Sequence, residues 1–123
     1  MQKFLIRQVA TGYKFDLKAP NGQTIATSEV YRTRAACQKG IDSVRKNASG
    51  AKLEDQCDEQ YGTLTNPKFE LYADKSGEYR FRLRSRNGKT VAVSEGYTTK
   101  AACENGIESV RKNASDAKTE IEI

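Results

Sequence analysis

The sequence predicts an α+β fold of two tandem, pseudo-symmetric β-β-β-α-β repeats. These should form one continuous antiparallel sheet with both helices on one face. Three observations predict it. The chain is written twice, short apolar runs alternate with period two, and each copy then carries one apolar stripe at helical spacing. A shift of 66 residues lays 13–52 over 79–118 with 25 of 40 positions identical. Such self-similarity decides an architecture before any local signal does.

The second copy is the easier to parse. Phe69 and Leu71 alternate with Glu70 and Tyr72, Phe81 and Leu83 with Arg80, Arg82 and Arg84, and Val91 and Val93 with Thr90 and Ala92. Period two over short runs bounded by Gly and Asn specifies strands with one buried face. The turns follow from parity. A three-residue loop, Arg86-Asn87-Gly88, pairs Leu83 with Val91 and Phe81 with Val93, so that the large apolar groups share a face. Such a loop is a type I turn closed by a left-handed glycine. In the first copy Pro20 occupies the position whose φ proline already satisfies, and Gly22 takes the positive φ. Lys75-Ser76-Gly77, after Asp74, reads the same way.

The helix follows. Thr99 is the expected N-cap. Ala102, Cys103, Gly106, Ile107 and Val110 form a narrow apolar stripe. A mid-helix glycine costs about 1 kcal/mol relative to alanine, so Gly106 is expected where helix and sheet approach closely. Arg111 and Lys112 suit the dipole of the last turn, and Asn113 closes it. Thr33, Ala36, Cys37, Gly40, Ile41, Val44, Arg45, Lys46 and Asn47 repeat this in the first copy. Short extended stretches follow each helix, at 51–55 and 117–123, the second alternating Ile121 and Ile123 with charges. The domain boundaries are therefore 1–56 for the first repeat, 57–67 for a linker without counterpart, and 68–123 for the second repeat. Together they make one domain.

The pattern F-x-L-Y-x-D-K-x-G-E-Y-R-F-R-L, then N-G, S-E-G-Y and C-E-N-G-I-E-S-V-R-K-N-A, resembles the YegP-like bacterial domain of unknown function. The likeness spans residues 3–55 and 68–123. The first copy departs at 9–12, where the D-K-x-G-E turn is lost, and at Val30, which replaces a glycine. The resemblance implies one continuous sheet with the C-terminal strands exchanged between units. Residues 51–55 would then lie against the second unit and 118–123 against the first. It implies no catalytic residue and no ligand.

Composition narrows the function classes. The chain has 123 residues and a net charge of +5. Residues 1–56 carry ten basic and five acidic side chains, and 68–123 carry eleven and nine. A mild basic excess permits an acidic partner without requiring one. No apolar run is long enough to cross a bilayer and the start lacks a signal-peptide core, so a cytoplasmic location is expected. Three widely spaced cysteines are neither a disulfide framework nor a zinc pattern.

The candidate surface is the sheet's open face. Arg80, Arg82 and Arg84 share it, with Tyr72 on the neighbouring strand and Lys14 and Lys18 as the first-copy equivalents. Cations beside an aromatic can hold phosphates and stack a base. The simpler reading is the wet side of a one-sided sheet, with Glu70 near enough to pair with some of the arginines. Cys37 and Cys103 read as core residues, whereas Cys57 reads as exposed and the most oxidisable. Ser28-Glu29 and Ser94-Glu95 read as turn formers, with Tyr31 and Tyr97 over the helix starts. The chain contains no histidine to serve as a base, and no metal or cofactor site is expected. These readings point to a non-enzymatic binding module. Its contact would be with a protein partner or a second copy, through the open face or a free edge. The alternative is nucleic-acid binding through the basic face.

Overall fold

Ten elements form in the computed structural model, which describes residues 2–122. The first repeat comprises β1 (Lys3–Val9), β2 (Gly12–Lys18), β3 (Thr24–Thr27), α1 (Arg34–Asn47) and β4 (Lys52–Asp55). The second comprises β5 (Lys68–Ala73), β6 (Tyr79–Arg84), β7 (Thr90–Val93), α2 (Lys100–Asn113) and β8 (Lys118–Glu122). All eight strands join one sheet in the order β4-β5-β6-β7-β3-β2-β1-β8. The repeats meet at its centre through Thr27 and Val93. The row Asp16–Thr27–Val93–Arg82 crosses that join, so the open faces of the two repeats are continuous and both helices cover the other side.

The last strand of each repeat is exchanged, as the resemblance implies. β4 lies against β5 and β8 against β1; residue 123 lies outside the described residues. These two outer pairs are parallel, which corrects the expectation of antiparallel pairing throughout. Chain length gives the reason for β4 and β5. A hairpin needs only a few residues, whereas adjacent parallel strands need a return of about a dozen. Residues 56–67 supply that return.

Local chemistry fixes the hairpins as expected. Ser85 N–H donates to Lys89 O and Gly88 N–H to Ser85 O, both at 2.9 Å, and Gly88 has φ +85°. Gly22 and Gly77 close the equivalent turns at φ +86° and +89°. The strand register beyond the turn differs from expectation. Leu83 faces Ala92, and Arg82 faces Val93, because a bulge at Val91 shifts the ladder. The cause is Ser94. Its hydroxyl accepts the Phe81 N–H at 2.9 Å and its own N–H donates to Phe81 O at 2.9 Å, which holds Ser94 opposite Phe81. Ser28 does the same for Phe15, with Ile25 in the bulge.

Thr33 and Thr99 cap the helices, accepting the Ala36 and Ala102 N–H groups. Small residues on the helix side of β3 and β7 leave room for Tyr31 and Tyr97. Both tyrosines pack under the middle of their helices rather than over the starts. Tyr97 stacks on Phe81 with ring centres 6.4 Å apart, and its hydroxyl end lies against Gly106. Tyr31, Phe15 and Gly40 repeat the arrangement. A methyl on Gly106 would fall 2.9 Å from Tyr97 Cζ and 3.0 Å from Phe81 Cε2. Close approach is therefore what the glycine provides. Phe4, Phe15, Phe69 and Phe81 are fully buried, each worth about 2–3 kcal/mol over exposure. Surface ion pairs contribute about 0–1 kcal/mol, so the core rather than the charged face holds the fold.

Two arginines bind the exchange. Arg45 of α1 lies 5.0 Å from the Phe4 ring centre and donates to Ala117 O at 2.6 Å and to Thr119 Oγ1 at 3.0 Å. Arg111 of α2 lies over Phe69 and donates to Ala51 O at 2.7 Å. Each helix end thus clamps the strand arriving from the other repeat. Asn47 and Asn113 donate back to the carbonyls of Ser43 and Ser109.

Candidate interaction surfaces on the open face

The three arginines do share the open face, and each already holds an acid. Arg80 Nε donates to Asp74 Oδ2 at 2.7 Å. Asp74 also accepts from Ser76 N–H, Ser76 Oγ and Glu78 N–H, closing its turn. Arg80 and these donors hold the Asp74 carboxyl well below the usual range. Arg82 and Arg84 converge on the buried Glu70, Arg84 at 2.9 Å. Burial alone would raise the Glu70 carboxyl, but the two guanidiniums outweigh it and lower it. Tyr72 faces the same way, and Arg82 covers its ring at 4.4 Å from the centre.

The first-copy cations stand apart. β7 and β3 separate β6 from β2, a span of about 14 Å. Lys18 Nζ donates to Thr24 Oγ1 at 2.7 Å. Lys14 lies half-buried opposite Arg7. Asp16 between them is buried and accepts from Arg7 Nε at 2.8 Å and Thr27 Oγ1 at 2.7 Å. The six candidates therefore form two separate patches.

The linker contributes a feature with no sequence motif. Its later part, around Leu64, reaches the open face of β4 and β5. Leu64 N–H donates to Glu54 Oε1 at 2.7 Å, and Lys68 Nζ donates to Glu54 Oε1 at 2.8 Å and Leu64 O at 3.2 Å. The Glu54 and Lys68 side chains are 2% and 8% exposed. Burial pulls the Glu54 carboxyl up, but Lys68, Gln56 and the Leu64 N–H prevail and hold it down to about 2. The same bridge exists in the first copy between Lys3 and Glu120 at 3.4 Å, but there the side chains are 35% and 56% exposed. Nothing among the described residues covers it as the linker covers its twin. Leu5 stands where the second copy has Glu70. The one available signal was the K-F at the start of both β1 and β5.

Burial raises all three thiols. Cys37 and Cys103 are fully buried, and burial pushes their thiols up to about 11 and about 12. Cys57 is half-buried rather than exposed, because the linker folds down against the core, and burial raises it too. Ser28 and Ser94 are buried and donate to the carbonyls of Glu29 and Glu95, which explains them as turn formers. No helix among the described residues is long and apolar enough to cross a membrane.

Residues 9–55 and 74–120 each match the family described as Domain of unknown function (DUF1508). The chain belongs to this family. A DUF1508 relative, the UPF0339 protein MS1092 of Mannheimia succiniciproducens, is 41% identical over 103 residues, covering 84% of this chain and 78% of that protein. A UPF0339 protein of Treponema denticola is 62% identical over 50 residues, which span 41% of this chain and 86% of that protein, so it is about one DUF1508 repeat long. The solution structure of YegP from E. coli, a protein of unknown function, superimposes with a TM-score of 0.78 at 29% identity, covering 98% of this chain and 92% of that one.

Proposed function

We propose that the protein is a non-enzymatic interaction module whose open β1–β8 face receives an extended segment of a protein partner. The observation that carries this reading is the contrast between two equivalent ion pairs. On β4–β5 a peptide segment already occupies the face, its N–H on Glu54 and its carbonyl on Lys68. On β8–β1 the same carboxylate and ammonium stand open. A partner segment bound in the linker's manner would donate an N–H to Glu120, accept from Lys3, and lay an apolar side chain on Leu5. Recognition through main-chain groups, with a pocket for one side chain, is a common mode of peptide capture.

The non-enzymatic reading is supported by the state of the acids and thiols. Glu54, Glu70 and Asp74 are all held ionised by cations. The thiols are pushed away from the reactive range. General acid–base work instead favours a group titrating near the working pH. The nucleic-acid alternative draws less support, because Arg80, Arg82 and Arg84 already face Asp74 and Glu70.

The test is an amide NMR titration with a capped peptide of residues 60–67. Shifts should cluster at residues 3–7 and 118–122 and vanish in Glu120→Lys. Shifts elsewhere, or none at millimolar peptide, would sink the proposal. A mass that rises with concentration without peptide, and falls back in Glu120→Lys, would assign the face to a second copy.

A further inference from the structure

A second, separate site lies on the helix side, where repeat one meets repeat two. The C-terminal half of α1 and the β6–β7 turn enclose a groove of about 620 Å³. That volume lies within the range that holds small-molecule ligands. Lys39 and Lys46 line one wall and Arg86 the other, with Ser43 and Ser85 also on the lining; the Ser85 hydroxyl donates to Asn87. Unlike the arginines of the open face, these three cations hold no acid among the described residues. Asp42 is the one carboxylate on the lining, and Arg45 and Gln38 already engage it at 3.6 and 3.2 Å.

The pseudo-symmetry supplies an internal control. Between α2 and the β2–β3 turn the corresponding residues Ala19, Asn21, Asn105 and Ser109 line a smaller groove of about 250 Å³, displaced toward Tyr97 and Gly106. There Asn105 stands in place of Lys39 and Pro20 in place of Arg86. Two of the three charges thus belong to one groove alone, though the helices and turns around both are otherwise nearly the same.

We propose that the α1/β6–β7 groove binds a compact small molecule carrying two or more phosphate groups. Lys39 and Lys46 are seven residues apart on one face of the helix, about 10 Å along its axis. That spacing suits two linked phosphates better than one. Arg86 on the opposite wall can fork two N–H groups onto a phosphate, a geometry lysine cannot offer. Ser43, between the two lysines along the helix, lines the same groove and its hydroxyl oxygen accepts from Asn47 Nδ2 at 3.1 Å.

Inorganic tripolyphosphate at constant ionic strength is the probe, followed by amide NMR and calorimetry on the full chain. Amide shifts should cluster at 39–47 and 85–88. The double variant Lys39→Asn/Arg86→Pro should bind at least tenfold more weakly. Both replacements are the residues found at the equivalent places in the other repeat, so the fold has a precedent for them. Lys46→Gln gives a second, milder reading and should also weaken binding. No binding, shifts centred on Arg80–Arg84, or equal affinity in the variants would overturn the proposal.

Discussion

Glu54 shows what happens to a carboxylate when donors converge on it as it is buried. Its carboxyl titrates near 4.5 when unfolded and near 2 when folded. The folded state therefore binds fewer protons, and the associated stability is fully present above about pH 4.5. It drains away as the pH falls toward 2. Urea midpoints measured from pH 6 to 2 should show this loss, and Glu54→Gln should flatten the profile in that window. At neutral pH the variant should lose about 3 kcal/mol, since breaking a buried pair leaves its partner under-compensated; Lys68 keeps Glu70 at 3.4 Å, which places the loss at the lower end. None of this was legible in the sequence. Glu54 and Lys68 are fourteen positions apart, and the third member is a backbone amide of a segment that reads as a plain linker. The arginines were legible as a face, and Glu70 as their partner, because strand parity puts them on one side.

At the scale of elements, whatever depends on local chemistry could be read directly: the glycine turns, the threonine caps and the apolar stripes. The strand register could not. It depends on the Ser94 hydroxyl standing in for a backbone acceptor, and apolar patterning favours the wrong pairing of Leu83 with Val91. The helix-to-sheet distance was half legible. Gly106 signalled close approach, but its partner, Tyr97, was assigned to the helix start. Gly106→Ala should gain about 1 kcal/mol in helix propensity and lose more, about 1–3 kcal/mol, to overpacking against Tyr97 and Phe81. A double-mutant cycle with Tyr97→Phe checks this. Removing the hydroxyl, the atom nearest the added methyl, should recover part of the loss, and strict additivity would show that the hydroxyl is not what resists it.

For the whole molecule the decisive feature is the exchange of β4 and β8. Duplication and repeat boundaries stood plainly in the sequence, but the partner of each last strand did not. "AKLED" carries the same charges wherever it pairs; only the resemblance implied the exchange. Once folded, Arg45 and Arg111 seal it from the helix ends. A fragment of residues 68–123 has no β4 to cover β5. It should therefore assemble as a dimer in which each β8 takes that place on its neighbour, as a relative one repeat long would have to do. Its melting midpoint should rise with concentration and sedimentation should report twice the fragment mass. A folded monomer with a concentration-independent midpoint would contradict the need for exchange.

The β1–β8 pair also sets the order in which the protein can be completed during synthesis. β1 is made before the other nine described elements, and the strand that covers its edge is the last of the ten. Every contact between them spans more than a hundred residues. Long-range pairings of this kind slow folding and keep strand edges open in the meantime. Nascent chains halted before residue 118 would carry a first repeat with its outer edge bare, while β4 waits for β5. The two repeats are thus obliged to finish together, and a duplication that could have given two independent units instead yields one cooperative one.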